Sequence, residues 1–244
     1  PAGHQLTVER SLLNEAANLG RTQGLEFTWT RGRNMLTFTT GDGATDPALQ
    51  NGLRQVFQSP ADTTSPEPIN QNALNPDVEW FLVARWEHLL YGSWSQFQDM
   101  TSPMDSMPGA MLGLAIHGQK GETTKNAPQV LQGTDGTVRI IDESTKWFSA
   151  AADLSWEFGG SSAMIGAMYN WVDNSTYNDT YQIYGLVGQY ARYWSPKWES
   201  FVRYDWAEFD TDSGDFSGQS DSGVLCLGVN HYLDGHQFKF TTDL

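Results

Sequence analysis

Residues 146–158, KWFSAAADLSWEF, alternate with a period of two. Phe148, Ala150, Ala152, Leu154, Trp156 and Phe158 fall in one set, and Ser149, Ala151, Asp153, Ser155 and Glu157 in the other. Successive side chains of a strand point to opposite faces, so the segment turns an apolar side one way and a polar side the other. After Gly159 and Gly160 the pattern resumes in phase: Ala163, Ile165, Ala167, Tyr169 and Trp171 oppose Ser162, Met164, Gly166, Met168 and Asn170. As far as Leu244 the chain keeps repeating runs of about ten alternating residues and turns of Gly, Pro or Asp, the pattern of a membrane-spanning β-barrel. A soluble sandwich can alternate too, so composition has to discriminate.

The 244 residues have a mean hydropathy of −0.46 and no run long enough for a transmembrane helix. Low hydropathy is compatible with a barrel, whose strands need apolar residues only at alternate positions. The chain carries 10 Trp and 9 Tyr, more than a sandwich core of Val, Ile and Leu would use. Many cluster near strand ends (Trp147, Trp156, Tyr169, Trp171, Tyr184, Trp194, Trp198, Tyr204, Trp206), where amphipathic rings suit the headgroup level. A single cysteine, Cys226, excludes an internal disulfide or a cysteine-based zinc site. The formal net charge of −15 disfavours nucleic acid as a partner and is expected largely on outward loops. With no signal peptide ahead of Pro1, the chain reads as a processed or trimmed product.

The reading is a single domain, 1–244, with a lead-in at 1–21 and strands near 22–30, 35–41, 79–90, 109–119, 146–158, 161–173, 180–194, 197–209, 222–233 and 236–244. Tight turns at 31–34, 158–161, 194–197 and 233–236 alternate with mostly long polar connections at 42–78, 120–145, 174–179 and 210–221. Short turns on one rim and long loops on the other are how outer-membrane barrels are built. The segment 91–108 falls on the short-turn rim and is too long for it, and its Trp94 and Phe97 suggest a packed insertion. In the 42–78 loop, Asp46-Pro47 starts a short amphipathic helix at 47–58, with Leu49, Leu53, Val56 and Phe57 on one side. That helix could lie in the lumen, placing Arg54 at a constriction, or on the rim.

At 181–208, YQIYGLVGQYARYWSPKWESFVRYDWAE resembles the paired strands and aromatic Pro-Lys-Trp-Glu turn of the phosphate-selective porin family (porins O and P) of the bacterial outer membrane. Residues 227–240, LGVNHYLDGHQFKF, are similar to that family's Gly-Val-Asn-Tyr-Tyr strand and Asn/Asp-Gly-His turn, and 5–25 to the lead-in of a mid-barrel strand. The resemblance implies a transmembrane antiparallel up-and-down β-barrel of about sixteen strands, a homotrimer in outer-membrane lipid and lipopolysaccharide, and an anion-conducting lumen. With about ten strands countable here, the chain is expected to be an incomplete stretch of such a barrel.

Parity assigns inward residues directly: Glu26, Glu79, Arg85, Glu87, Asp153, Glu157, Glu199, Arg203, Asp205, Lys239 and Asp243. Eight acids against three bases argue for weak cation preference or none, and against carrying over phosphate selectivity, because anion pores use Arg and Lys. Arg85 and Arg203 are expected to pair with Glu87 and Asp205. Asp210, Asp212, Asp215 and Asp221 form a weak calcium-loop pattern without its closing Glu, more readily read as a solvated loop. The five histidines lack metal-ligand spacing, and no catalytic motif is present, so neither cofactor nor enzyme activity is expected. The expectation is a porin passing small hydrophilic solutes or ions. Its rivals are a phosphate- or anion-selective porin, a plugged structural or docking barrel that binds surface partners, and a soluble β-sandwich that binds carbohydrate.

Overall fold

Alternation this regular leaves each segment one way to satisfy its backbone groups, by pairing with its neighbour in the chain. A computed structural model describes residues 23–42, 77–122, 129–132, 138–141, 144–174, 179–211, 221–234 and 238–244. The strands are β1 (Gln23–Arg31), β2 (Asn34–Asp42), β3 (Asp77–Tyr91), β4 (Gly109–Glu122), β5 (Gln129–Gln132), β6 (Val138–Ile141) and β7 (Ser144–Phe158), then β8 (Ser161–Asn174), β9 (Asp179–Ser195), β10 (Trp198–Thr211), β11 (Ser222–Asp234) and β12 (Phe238–Asp243). Ten of them form one antiparallel sheet in the order β1-β2-β3-β4-β7-β8-β9-β10-β11-β12. Consecutive sheet strands are neighbours throughout, so this is an up-and-down meander. β1 and β12 stand at its two ends, and no pairing joins them among the described residues.

All ten expected strands have counterparts. β5 and β6 were not expected: they form a separate hairpin within 120–145, each strand four residues long and too short to display a period. β4 pairs directly with β7 beneath this excursion, from Gly109↔Glu157 to Glu122↔Ser144. The lead-in 1–21 and the helix at 47–58 with Arg54 lie outside the described residues.

The tight turns sit where glycine permits a left-handed backbone: Gly32 (φ +58°) between β1 and β2, and Gly159 (+44°) with Gly160 (+85°) between β7 and β8. On the same rim, 92–108 forms the packed insertion that its length and aromatics imply. It opens at Gly92 (φ +95°) and contains a 3-10 turn at Gln96–Gln98. Gln96 closes it, accepting from Ser93 N at 2.8 Å and donating to Met107 O at 2.6 Å. Trp94 Nε1 donates to Gly32 O at 3.1 Å, Gly160 N to Pro103 O at 2.9 Å and Ser162 Oγ to Met100 O at 2.9 Å, tying the insertion to the β1–β2 and β7–β8 hairpins.

The two faces are chemically opposite, and the charged one is the buried one. Along β10, Trp198 and Tyr204 are exposed, while Glu199, Phe201, Arg203, Asp205 and Ala207 are each at most 6% exposed. The register carries this parity across the sheet. Leu25, Phe27, Phe38, Ile116, Phe148, Ile165, Leu186, Leu225, Leu227, Phe238 and Phe240 are all exposed on the apolar face.

Close approach explains one glycine and not another. A Cβ on Gly228 would meet Phe201 Cζ at 2.2 Å and the backbone Thr242 O at 2.6 Å, whereas one on Gly188 would meet nothing within 4 Å. Phe201 lies across Gly228 and packs with Ala191 and Cys226 in a small buried cluster. Gly228→Ala should therefore cost about 1–3 kcal/mol by overpacking. Gly188→Ala should be neutral or better, since it removes glycine's unfolded-state freedom. Urea midpoints of the two variants check this, and equal midpoints would contradict the register.

Candidate functional site

Arg85, Asp153, Glu157, Glu199, Arg203 and Asp205 share one face of the ten-stranded sheet, where an ion pair spans a strand. Arg85 on β3 donates from Nη1 to Asp153 Oδ2 at 2.8 Å and from Nη2 to Asp153 Oδ1 at 3.1 Å, with Asp153 on β7. Between them runs β4, and it presents Gly113, paired with Asp153 on one side and Glu87 on the other. A Cβ there would clash with Arg85 Nη2 and Asp153 Oδ2, so the bridge fills the space that a side chain at 113 would need. Arg85 Nε also donates to Glu87 at 3.1 Å, which fixes the guanidinium plane from its own strand.

A second network lies on β10, β11 and β12. Arg203 Nε donates to Asp205 Oδ2 at 2.8 Å, with both side chains buried. Glu199 is buried and accepts from Asn230 Nδ2 at 3.1 Å and from the Tyr232 hydroxyl at 2.5 Å. Thr241 Oγ1 donates to Asn230 Oδ1 at 2.7 Å, and Lys239 stands 5.9 Å over the Tyr232 ring. Tyr193 on β9 stacks on Tyr232 with ring centroids 5.4 Å apart. These bonds answer what a buried charge requires, a partner of opposite sign or several donors.

Further along β4 and β7, away from the insertion, His117 approaches Ser149 Oγ through Nδ1 (3.4 Å) and Gln119 Oε1 through Nε2 (3.2 Å). Trp147 meets it edge-on at 5.7 Å. Trp147 was expected among headgroup aromatics, but it sits on the polar face, buried, because its parity is that of Ser149 and Asp153. The other eight aromatics of that group have the apolar parity.

Of the expected inward residues, Glu26, Arg85, Glu87, Asp153, Glu157, Glu199, Arg203, Asp205, Lys239 and Asp243 share this polar face. Glu79 stands at a bulge between Val78 and Trp80, and its side chain lies outside the described set. The pairings Arg85–Glu87 and Arg203–Asp205 are present as expected, while Arg85–Asp153, across 68 residues of sequence, was not anticipated. Glu26 accepts weakly from Thr39 at 3.4 Å, and Asp243 faces the Cys226 thiol at 3.6 Å. Asp210 is exposed at the end of β10 and Asp221 is exposed just before β11, while Asp212 and Asp215 lie outside the described residues. Among the described residues no group of three or more His, Cys, Asp or Glu is placed to hold a metal. A tally of charges alone missed His117, Gln189, Asn230, Tyr193 and Tyr232, which parity would have found. Asn170 is fully buried on this face, and neither of its amide atoms has a partner among the described residues.

No family model, curated protein or solved structure matches the chain.

The strand-spanning ion pair should respond as a unit. Because both side chains are partly shielded and the contact is bidentate, a double-mutant cycle of Arg85→Gln with Asp153→Asn should give a coupling of about 1–2 kcal/mol. The same cycle with Gly113→Leu as background should give nearly none. An undiminished coupling in that background, read from unfolding free energies, would show that the bridge does not depend on the bare glycine.

Proposed function

We propose that this chain is the wall of a transmembrane β-barrel porin of a bacterial outer membrane, apolar face to lipid and polar face lining a water-filled passage for small hydrophilic solutes or ions. The observation that carries the reading is the inverted burial: large apolar side chains are exposed on one face of all ten strands, while carboxylates and guanidinium groups are buried on the other. A water-soluble sheet gains nothing by exposing so much apolar surface, whereas lipid rewards it and requires strand-to-strand pairing of every backbone group. Tyr and Trp among the exposed residues, such as Tyr184, Tyr204, Trp194 and Trp198, suit the interfacial girdles of such a wall.

Charge on the polar face supports weak cation preference or none rather than phosphate selectivity. Arg85 and Arg203 are occupied by carboxylates, Lys239 stands over an aromatic ring, and no ladder of free basic side chains runs along the described strands. A plugged docking barrel draws support from one observation, the 92–108 insertion lying over part of this face. Planar-bilayer recording separates the two. The expected result is ohmic conductance with a reversal potential near zero or slightly cation-selective across a potassium chloride gradient. Absence of conductance would favour the plugged barrel, and strong anion preference with phosphate block would overturn the charge argument.

Lipid contact makes a second, independent demand. Ala167 lies mid-strand on the apolar face and Met168 beside it on the polar face. Ala167→Arg should cost about 2–4 kcal/mol of stability in lipid vesicles, and Met168→Arg should chiefly change conductance. Equal folding defects would contradict the assignment of faces.

A further inference from the structure

Glu157 is the anomaly of the polar face. It is only 4% exposed, yet it has no hydrogen-bond or ion-pair partner among the described residues, unlike Asp153, Glu199 and Asp205. On β7 it stands between Gly109 of β4 and Ser162 of β8. The insertion is anchored at those same two neighbours: a Cβ on Gly109 would come within 3.1 Å of Phe97, and Ser162 Oγ donates to Met100 O at 2.9 Å. Asp99 lies on the segment between these two anchors and borders the same cavity as Glu157. Thr101 holds its carboxylate in place, donating to Oδ1 from the backbone at 2.9 Å and from the hydroxyl at 2.8 Å.

These groups open on a cavity of about 540 Å³, whose walls include Asp99, Met100, Met111, Glu157, Met164 and Met168. Its size falls within the roughly 300–1,000 Å³ of small-molecule sites. The Arg85–Asp153–Glu87 group borders it too, but that guanidinium is committed to its own carboxylates. Two demands follow. Glu157, buried and without a partner among the described residues, calls for positive charge from a ligand. Four thioether side chains offer a flexible, polarizable apolar surface that a small hydrated ion would leave unused. An anion is repelled, and a neutral apolar solute leaves Glu157 uncompensated.

We propose that this cavity is a binding subsite for organic ammonium cations, the charged head between Glu157 and Asp99 and the apolar body against Met100, Met111, Met164 and Met168. It rests on the porin reading in one respect only, that water and solutes reach the polar face. The intact chain, refolded in detergent, is titrated calorimetrically with phenethylammonium chloride, 2-phenylethanol, phenylacetate and sodium chloride. Saturable binding of phenethylammonium alone is expected, weakened at least tenfold by Glu157→Gln and by Asp99→Asn, and unchanged by Glu208→Gln on the apolar face. Asp99 lies outside the strand ladder, so its variant keeps the test open if Glu157→Gln fails to refold. Equal binding of 2-phenylethanol, unaltered affinity in the refolded variants, or no binding at all would overturn the subsite. Conductance of the same preparation separates this from the porin reading. Protein that conducts without binding overturns the subsite alone, while binding without conductance upholds the subsite and overturns the passage.

Discussion

The constraint on which everything else depends is the pleat of a hydrogen-bonded ladder. Each strand spends its backbone groups on its two neighbours, and the pleat then sends every second side chain to the same side. Once Asp153 pairs with Gly113 and Gly166, the faces of Arg85, Glu87, Asp205 and, further on, Cys226 and Asp243 are settled by register alone. The apolar side chains have no comparable freedom to turn inward. A shift by one residue would send Phe148, Leu154 and Ile165 to the charged side and Asp153 and Glu157 to the other. The separation of chemistry into two faces is thus a property of the whole sheet, not of individual contacts.

That arithmetic explains how much of the fold was legible beforehand. Strands β7 to β10 show the period over thirteen or more residues, enough for the sequence alone to assign Phe148 and Ile165 to one face and Glu199 and Asp205 to the other. Contacts within one strand, such as Arg203 with Asp205 two residues on, were legible for the same reason. The Arg85–Asp153 bridge was not, because it depends on the register that sets Gly113 between Glu87 and Asp153 and on a contact reaching across a whole strand. Trp147 misled for a different reason: position near a strand end suggests a belt aromatic, while its parity, visible from Phe148 next to it, says otherwise. The Glu199–Asn230–Tyr232 cluster was half visible, since Glu199 could be placed inward but its donors are uncharged and lie on a strand thirty residues away.

The insertion at 92–108 shows where period-two reasoning stops. Its length and aromatics signalled packing, but nothing in the segment names its partners. These are supplied by turns that are distant in sequence, Gly32 and Gly160, and by Ser162 at the start of β8. The result gives the short-turn rim an asymmetry: a rim that would otherwise be bare hairpins carries one folded segment by the first residues of β4 and β8 and the last residues of β7 and β9. Beneath that segment Glu157 has no partner among the described residues, whereas Arg85 with Asp153 and Arg203 with Asp205 are paired.

Gly113 has a mechanical consequence. Neighbouring strands are normally held only to each other, and a strand under tension can slip by two residues while keeping its faces correct. Arg85 and Asp153 belong to the strands on either side of β4 and grip each other across it, so sliding β3 relative to β7 breaks an ionic clamp as well as two ladders. The clamp closes only where β4 offers bare backbone. Position 113 therefore acts as a notch that marks one alignment of three strands, and it does so by having no side chain at all.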